Sequence, residues 1–482
     1  MAENGDAGKL AQVFRTGDLV SLSVSSVGPL FSIAATGGVM AAAAGWFSLV
    51  AIGLIAIPFI VSAFVFRLLN RHFPHAGASY HWSRRVLGAR SSRFQAWILI
   101  VAYFSSIPPI IIPAANYTLT LIAPGQTPGP LAELATSAFW VGFALVPLLR
   151  GAKPTARITQ VFLLVEVVSV AGLAAIALYR LPELHVPVHA SHFPLGGVII
   201  SAVVAATILD GWEIDSYAAE ESRRPKRDPG TAGIVGAFLA LAFYAVLFPL
   251  MLDETPLRVL AGAANPMAAW GDRLLPSAPW AVLLPVLAST AGGLWLTSFI
   301  LGRALFAMGR EGLLPGRFAR LNHRQVPAFA LVSVLLAALA VTALQTLYPS
   351  LRSFFGLVLG AAGFFLTAEF FLDSLTATVF LSRLHGAGKD GEPDAPVHHH
   401  HTALRVAATG TTVVLGAFLC GFLVFGPTAI GSGIDWVVAA VVTGGLLFAW
   451  IPRRGREAYI FEGGDVTTGL PLRSAASTAN RT

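Results

Sequence analysis

The chain has 482 residues, 55% of them apolar and only 12% charged, with a mean hydropathy of +0.71. A water-soluble domain carries about 25% charged residues, so this composition excludes an ordinary soluble enzyme. The single cysteine, Cys420, excludes an intrachain disulfide and a cysteine-built metal centre.

Apolar runs recur almost from end to end, many reaching the ~20 residues that cross a hydrocarbon core as a helix. They predict an all-α integral membrane protein of about twelve helices, at 17–44, 47–70, 94–122, 131–149, 155–180, 196–221, 231–252, 279–308, 327–347, 353–383, 403–426 and 433–452. No small-residue cleavage site follows the first run, so it is expected to be a span and not a signal peptide. The expected layout is a tail at 1–16, a core at 17–385, a charged linker at 386–402, two further helices within 403–452 and a polar, disordered tail at 453–482. The segments at 181–195 and 253–278 are short and polar.

The first span carries Ser25, Ser26, Val27, Gly28 and Pro29 in its middle. Proline removes a backbone donor and clashes with the preceding turn, so the helix should break there. The sixth span carries Ile208, Leu209, Asp210, Gly211, Trp212, Glu213 and Asp215 at a similar depth. Three carboxylates in a membrane helix are costly unless they face protein or water. Paired interruptions at matching places predict two five-helix repeats, about 17–180 and 196–383, of opposite topology around a central site. Residues 25–29 and 208–212 are therefore the candidate substrate-binding set, with Tyr103 of the third span beside them. Glu213 and Asp215 are expected to face an aqueous path or other helices.

The net charge of +7 follows the topology. With the N-terminus inside, every Lys and Arg except Arg180, Arg258, Arg273 and Arg352 falls in an inside segment. That asymmetry sets orientation by the positive-inside rule, with both termini cytoplasmic at a plasma membrane. It leaves no reason to invoke nucleic acid; the expected surroundings are a lipid bilayer. Oligomeric state is left open.

Three stretches carry a family resemblance. One is His72-Phe73-Pro74-His75-Ala76-Gly77-Ala78-Ser79-Tyr80-His81-Trp82. The second is Asp210-Gly211-Trp212-Glu213, followed by Ala219-Glu220-Glu221-Ser222-Arg223-Arg224-Pro225. The third runs from Gly302 through Arg303 and Arg310-Glu311-Gly312 to Pro315, with Val326-Pro327 after it. In this order they resemble amino acid permeases of the amino acid–polyamine–organocation (APC) superfamily. The resemblance implies a LeuT-type 5+5 inverted repeat with broken helices 1 and 6, two extra C-terminal helices, and substrate held between the breaks. In the family the first break usually reads Gly-Ser-Gly and cradles a substrate carboxylate with backbone amides. Counting back from Tyr80 sets Gly28-Pro29-Leu30 there; Pro29 cannot donate, and Ser25 and Ser26 offer hydroxyls instead.

Glu166 lies mid-span in the fifth helix, at an expected cost of a few kcal/mol unless functional or paired. Many sodium-independent relatives carry a lysine at that place. The sign reversal leads to an expectation of proton coupling through Glu166, or of a cation held with hydroxyls of Thr297 or Ser298; a neutral, hydrogen-bonded carboxyl is the alternative. Asp210 pairs with an amine, takes up a proton, or satisfies unwound backbone. Glu369 and Asp373, four apart on one helix face, complete an acidic interior that favours a cationic or amine-bearing substrate. Glu220 and Glu221 are expected to latch onto Arg223 and Arg224. His398 to His401 are expected to be a solvated tract in the linker. With no Walker motif and no catalytic constellation, the chain is expected to be no enzyme and to use no cofactor or metal. The expectation is a secondary active importer of an amino acid or related organic amine, proton-coupled. A polyamine- or ethanolamine-type carrier or exchanger is the alternative, and a transporter-like sensor or channel the reading from another class.

Overall fold

The computed structural model describes residues 10–126, 128–187, 192–263, 265–347, 351–387 and 398–451. Among them nine helical stretches are long and apolar enough to cross a membrane, and two shorter apolar helices accompany them. The first expected span is two helices: α1 (Thr16–Val27) and α2 (Pro29–Ala44). Gly28 between them is left-handed, at φ 54° and ψ 66°, a conformation that costs an L side chain about 1–2 kcal/mol. Pro29 occupies the first position of α2, where its missing N–H is no loss and its ring is pre-set for the helix.

Next come α3 (Ser48–His72) and the short α4 (Ala78–Val86). The third expected span is also divided, into α5 (Ala89–Ser106) and α6 (Pro108–Ile122), because the Pro108-Pro109 pair interrupts it at Ile107. Then follow α7 (Pro130–Arg150) and α8 (Ala152–Leu184). The sixth expected span ends early. Helix α9 (Leu195–Leu209) stops at Asp210, Gly211 is left-handed at φ 102°, and only the one-turn α10 (Ile214–Tyr217) follows.

After α11 (Asp228–Glu254), the segment expected to be a plain polar loop holds α12 (Leu257–Gly262) and α13 (Pro266–Leu274). The spacing of Met267, Trp270 and Leu274 gives α13 one buried apolar face, and Trp270 Nε1 donates to Glu254 at 2.6 Å. The rest is α14 (Trp280–Arg310), α15 (Ala328–Ala343), α16 (Leu351–Ala387), α17 (His398–Ala429) and α18 (Gly433–Trp450). Helix α17 begins at His398, so the four histidines stand in its first turn and not in a loop. The greater part of the expected linker, the last tail and the first nine residues lie outside the described residues.

Burial separates the centre from the rim. In α14, 72% of the apolar window is buried inside the protein, against 22% in α8, α17 and α18. Helix α8 turns Val161, Leu164, Val165 and Val168 outward, an apolar surface that suits lipid and not water. Helix α1 packs on α11, α8 and α14; α2 packs on α9; and α9 packs on α16 and α17. The two interrupted regions thus meet in the centre. A Cβ on Gly211 would lie 2.8 Å from the backbone carbonyl of Ser26, so only glycine permits that approach.

Candidate substrate site

A small cavity of about 40 Å³ lies between the interruptions. Ser26 and Val27 reach it from the end of α1, Phe31, Ser32, Ala35 and Thr36 from α2, and Thr207 and Asp210 from the end of α9. Ser106, Pro109 and Ile110 close it from the α5–α6 joint, Gly293 and Thr297 from α14, and Leu359 and Ala362 from α16. Among the described residues Asp210 is the only ionisable one in this lining, and its acidic neighbours are the carboxyls of Glu213 and Glu369. Two helices end here with their C-termini, α1 and α9. A helix C-terminus carries about half a negative charge, so both ends and Asp210 act in the same sense, favouring a cation, while the N-terminus of α2 at Pro29 opposes them.

Most wall hydroxyls are already bonded to backbone: Ser32 donates across the break to Val27 O, and Thr36 to Ser32 O, Ser106 to Ala102 O and Thr207 to Val204 O within their own helices. Ser26 Oγ differs. It is buried, at 8% exposure, and finds no hydrogen-bond partner among the described residues.

The backbone amides at the breaks are already committed. Leu30 N–H donates to Glu166 Oε1 at 3.3 Å, and Phe31 N–H donates to Ser289 Oγ at 3.0 Å. Ser289 Oγ in turn donates to Glu166 Oε1. Pro29 has no N–H, and Ser32 N–H already bonds Gly28 O. Glu166 on α8 and Ser289 on α14 therefore cap α2 from outside, the service an N-cap side chain normally provides within its own chain segment. At the second break, Gly211 N–H donates to Glu213 Oε2 at 2.7 Å.

Of the residues predicted from sequence, Ser26, Val27, Asp210 and Thr297 line the cavity. Gly28, Pro29, Leu209 and Gly211 shape the breaks, and Ser25 and Ile208 are buried behind them. The hydroxyl that meets Glu166 belongs to Ser289, two helical turns from the expected pair; Ser298 donates to Leu294 O instead. Trp212 is no cavity wall: it packs edge-on to Phe66 and beside Phe370 in an aromatic cluster. Tyr103 does not line the cavity either, and its hydroxyl donates to Glu213 at 2.9 Å. Glu213 and Asp215 face neighbouring helices; Asp215 accepts Gly233 N–H, in the second turn of α11, at 2.6 Å. Glu369 accepts from Tyr217 at 2.8 Å and Asp373 from Ser79 at 2.8 Å, and Ser79 also meets Tyr217 at 3.1 Å. These two carboxyls thus form a buried hydrogen-bonded ladder beyond the cavity.

The basic end of the bundle is closed by charge. Arg303 donates twice to Glu221, at 3.0 and 3.1 Å, with both side chains 1% exposed. Arg310 donates to Glu220 at 2.6 and 2.9 Å. The expected partners, Arg223 and Arg224, are displaced because the chain turns at Ser222 to pair with Phe14 as a single bridge. Glu311 accepts from Arg84 at 2.9 Å and lies 3.3 Å from His81 and 3.4 Å from His75. Burial alone would raise the Glu311 carboxyl, but the hydrogen bond from His81 and the Arg84 guanidinium hold it down to about 2. His75 and His81 lie close enough to Glu311 to suggest a metal site, yet their rings stack at 3.8 Å and only 13° apart. Lone pairs in two parallel planes cannot converge on one ion at the ~2.0–2.1 Å that imidazole coordination needs. Toward the opposite end a second cavity of about 90 Å³, lined by Gly38, Asn116, Ala261, Pro266 and Phe355, shares Ala35 with the first.

A family model described as amino acid permease matches residues 14–448. The chain is 25% identical over 357 residues to the branched-chain amino acid permease BcaP of Lactococcus lactis, covering 69% of this chain and 76% of that protein. It is 24% identical over 332 residues to the methylthioribose transporter of Bacillus subtilis, covering 65% and 70%. Against the b(0,+)-type amino acid transporter 1 of Mus musculus the figures are 24% over 331 residues, 66% and 63%. The family match spans both interrupted helices, the cavity between them and the charged closure, and the chain belongs to the amino acid permease family of multi-pass membrane transporters.

Proposed function

We propose that the protein is a secondary active transporter that imports an amino acid or related organic amine by alternating access, with a proton as coupling ion. In this reading the chain makes twelve passes in the plasma membrane as two inverted five-helix repeats plus two C-terminal helices, with the basic end and both termini cytoplasmic. The observation that carries the reading is the cavity between two broken helices, lined by one carboxylate, with a second cavity that shares Ala35 serving as the vestibule in this reading and buried ion pairs on the other side. The named relatives, two of them amino acid carriers, support the substrate class.

Substrate enters through the vestibule, and its ammonium meets Asp210, Ser26 Oγ and the α1 and α9 C-termini. Glu166 ties α2 to α8 and α14 through Leu30 N–H and Ser289. A charged acceptor binds a donor about twice as strongly as a neutral one. Protonation of Glu166 therefore loosens that tie and lets α1 and α2 move with α11 against α14 and α8, opening the basic end. The test is uptake into proteoliposomes under an imposed pH gradient. Wild type is expected to accelerate with inward proton drive, and Glu166→Gln to transport without responding to it. Gradient-dependent uptake that survives in the variant would remove the proton role; no uptake of any amino acid or amine would remove the function.

A further inference from the structure

We infer that Glu166 and Glu213 are built-in carboxylates that occupy the amide sites of the two broken helices, so the cavity selects a monoamine without an α-carboxylate. This rests on the transport reading above and narrows its substrate class.

A free amino acid brings two charges, and the cavity answers only one of them. Its ammonium has Asp210 and two helix C-termini. Its carboxylate needs donors, and burying an ionised carboxylate without them is costly. The natural donors at a helix break are the free N–H groups of the following half-helix. At α2 these are spent on Glu166 and Ser289, and Pro29 supplies none. At the second break Gly211 N–H is spent on Glu213. Among the described residues no Lys, Arg or His lines the cavity, and the ionisable groups behind its wall are Glu213, Glu369 and, beyond them, Asp373. A second carboxylate would therefore meet no cationic side chain in the lining and only carboxylates behind it. Ser26 Oγ and the lone pairs of Thr207 and Thr297 serve an ammonium as acceptors. The remaining wall is apolar, with Val27, Phe31, Ile110 and Leu359. Its apolar character suits an aliphatic or small aromatic body and the lining offers no second anion for a diamine.

The experiment pairs each amino acid with its decarboxylated amine on the purified full chain: leucine with 3-methylbutylamine, phenylalanine with phenethylamine, and lysine with cadaverine. Dissociation constants are read by thermal shift and by competition for radiolabelled amine in proteoliposomes. Wild type is expected to bind 3-methylbutylamine about tenfold or more tightly than leucine, because a stranded carboxylate forfeits a charge-assisted hydrogen bond, and to rank cadaverine below it. Glu166→Ala, which vacates Leu30 N–H, is expected to narrow the leucine deficit by about tenfold. The wild-type comparison stands alone if that variant does not fold. Leucine binding as tightly as its amine overturns the inference while transport of amino acids stands. Binding of neither member of any pair overturns the transport reading, and the inference with it.

Discussion

Removing Arg303 exposes how the basic end stays shut. The guanidinium and Glu221 share two hydrogen bonds of 3.0 and 3.1 Å, both side chains are 1% exposed, and the guanidinium also lies 3.6 Å over the Phe299 ring. Arg303→Met keeps a long apolar side chain but strands the Glu221 carboxylate in the closed form. Breaking one partner of a buried pair costs about 3–5 kcal/mol. Opening the basic end admits water to Glu221 and relieves that cost, so the substitution acts on the closed–open equilibrium. A shift of about 5.5 kcal/mol inverts a 99:1 population, so ~3–5 kcal/mol brings the open form to a large fraction. The assay places a cysteine at Thr207, on the cavity wall, in a Cys420→Ala background, and measures labelling by a membrane-impermeant thiol reagent from either side of oriented vesicles. The Arg303→Met protein is expected to label from the basic side, which the parent resists. Adding Glu221→Met removes the stranded charge and is expected to restore closure, since an apolar pair of similar volume commonly matches a buried ion pair. Labelling of Arg303→Met that stays confined to the opposite side would refute the reasoning. So would a double variant more open than either single one.

Two further outcomes follow from the same geometry. Burial first, then the positive charges of His81, Arg310 and Arg84, push His75 well below its ordinary 6.5, with Glu311 opposing. The unfolded chain therefore takes the proton first, and closure loses stability as pH falls through about 6.5, whereas Glu311 stays ionised. Thermal midpoints from pH 8 to 5.5 should fall more for wild type than for His75→Gln, and parallel curves would count against the His75 assignment. Gly28→Ala forces a left-handed alanine and places a Cβ 3.3 Å from Ser289 Oγ. A loss of about 1–2 kcal/mol in unfolding free energy is expected, together with weakened uptake; an unchanged denaturation midpoint would show that the break relaxes.

Much of the architecture was legible because the bilayer imposes long apolar runs, and because Pro29 and Gly211 mark breaks that side-chain pattern cannot hide. The lining of the site was only partly legible. Asp210 and Ser26 follow from their place at the breaks. Trp212 sits in the same short stretch yet turns the other way, because a residue two positions past Asp210 in unwound backbone has no helical face to assign it. The partners of Glu166, Glu220 and Glu221 were out of reach for another reason. Ser289, Arg310 and Arg303 lie 123, 90 and 82 residues along the chain from them, and no local periodicity reports such pairings. The short α13 had a signal, the spacing of Met267, Trp270 and Leu274, which was masked by the polar residues around it.

The solitary carboxylate of the cavity has an electrical consequence. In the proposed cycle, with Glu166 protonated and an ammonium beside an ionised Asp210, the loaded carrier is neutral at both groups; emptied of substrate and proton, it carries two negative charges. A membrane potential does work of about 2.3 kcal/mol per charge per 100 mV, and it acts on the form that bears net charge. The inward step of the loaded carrier is then indifferent to voltage, while the return of the empty carrier is pushed outward by an interior-negative potential. Voltage would govern how fast the transporter resets between turns.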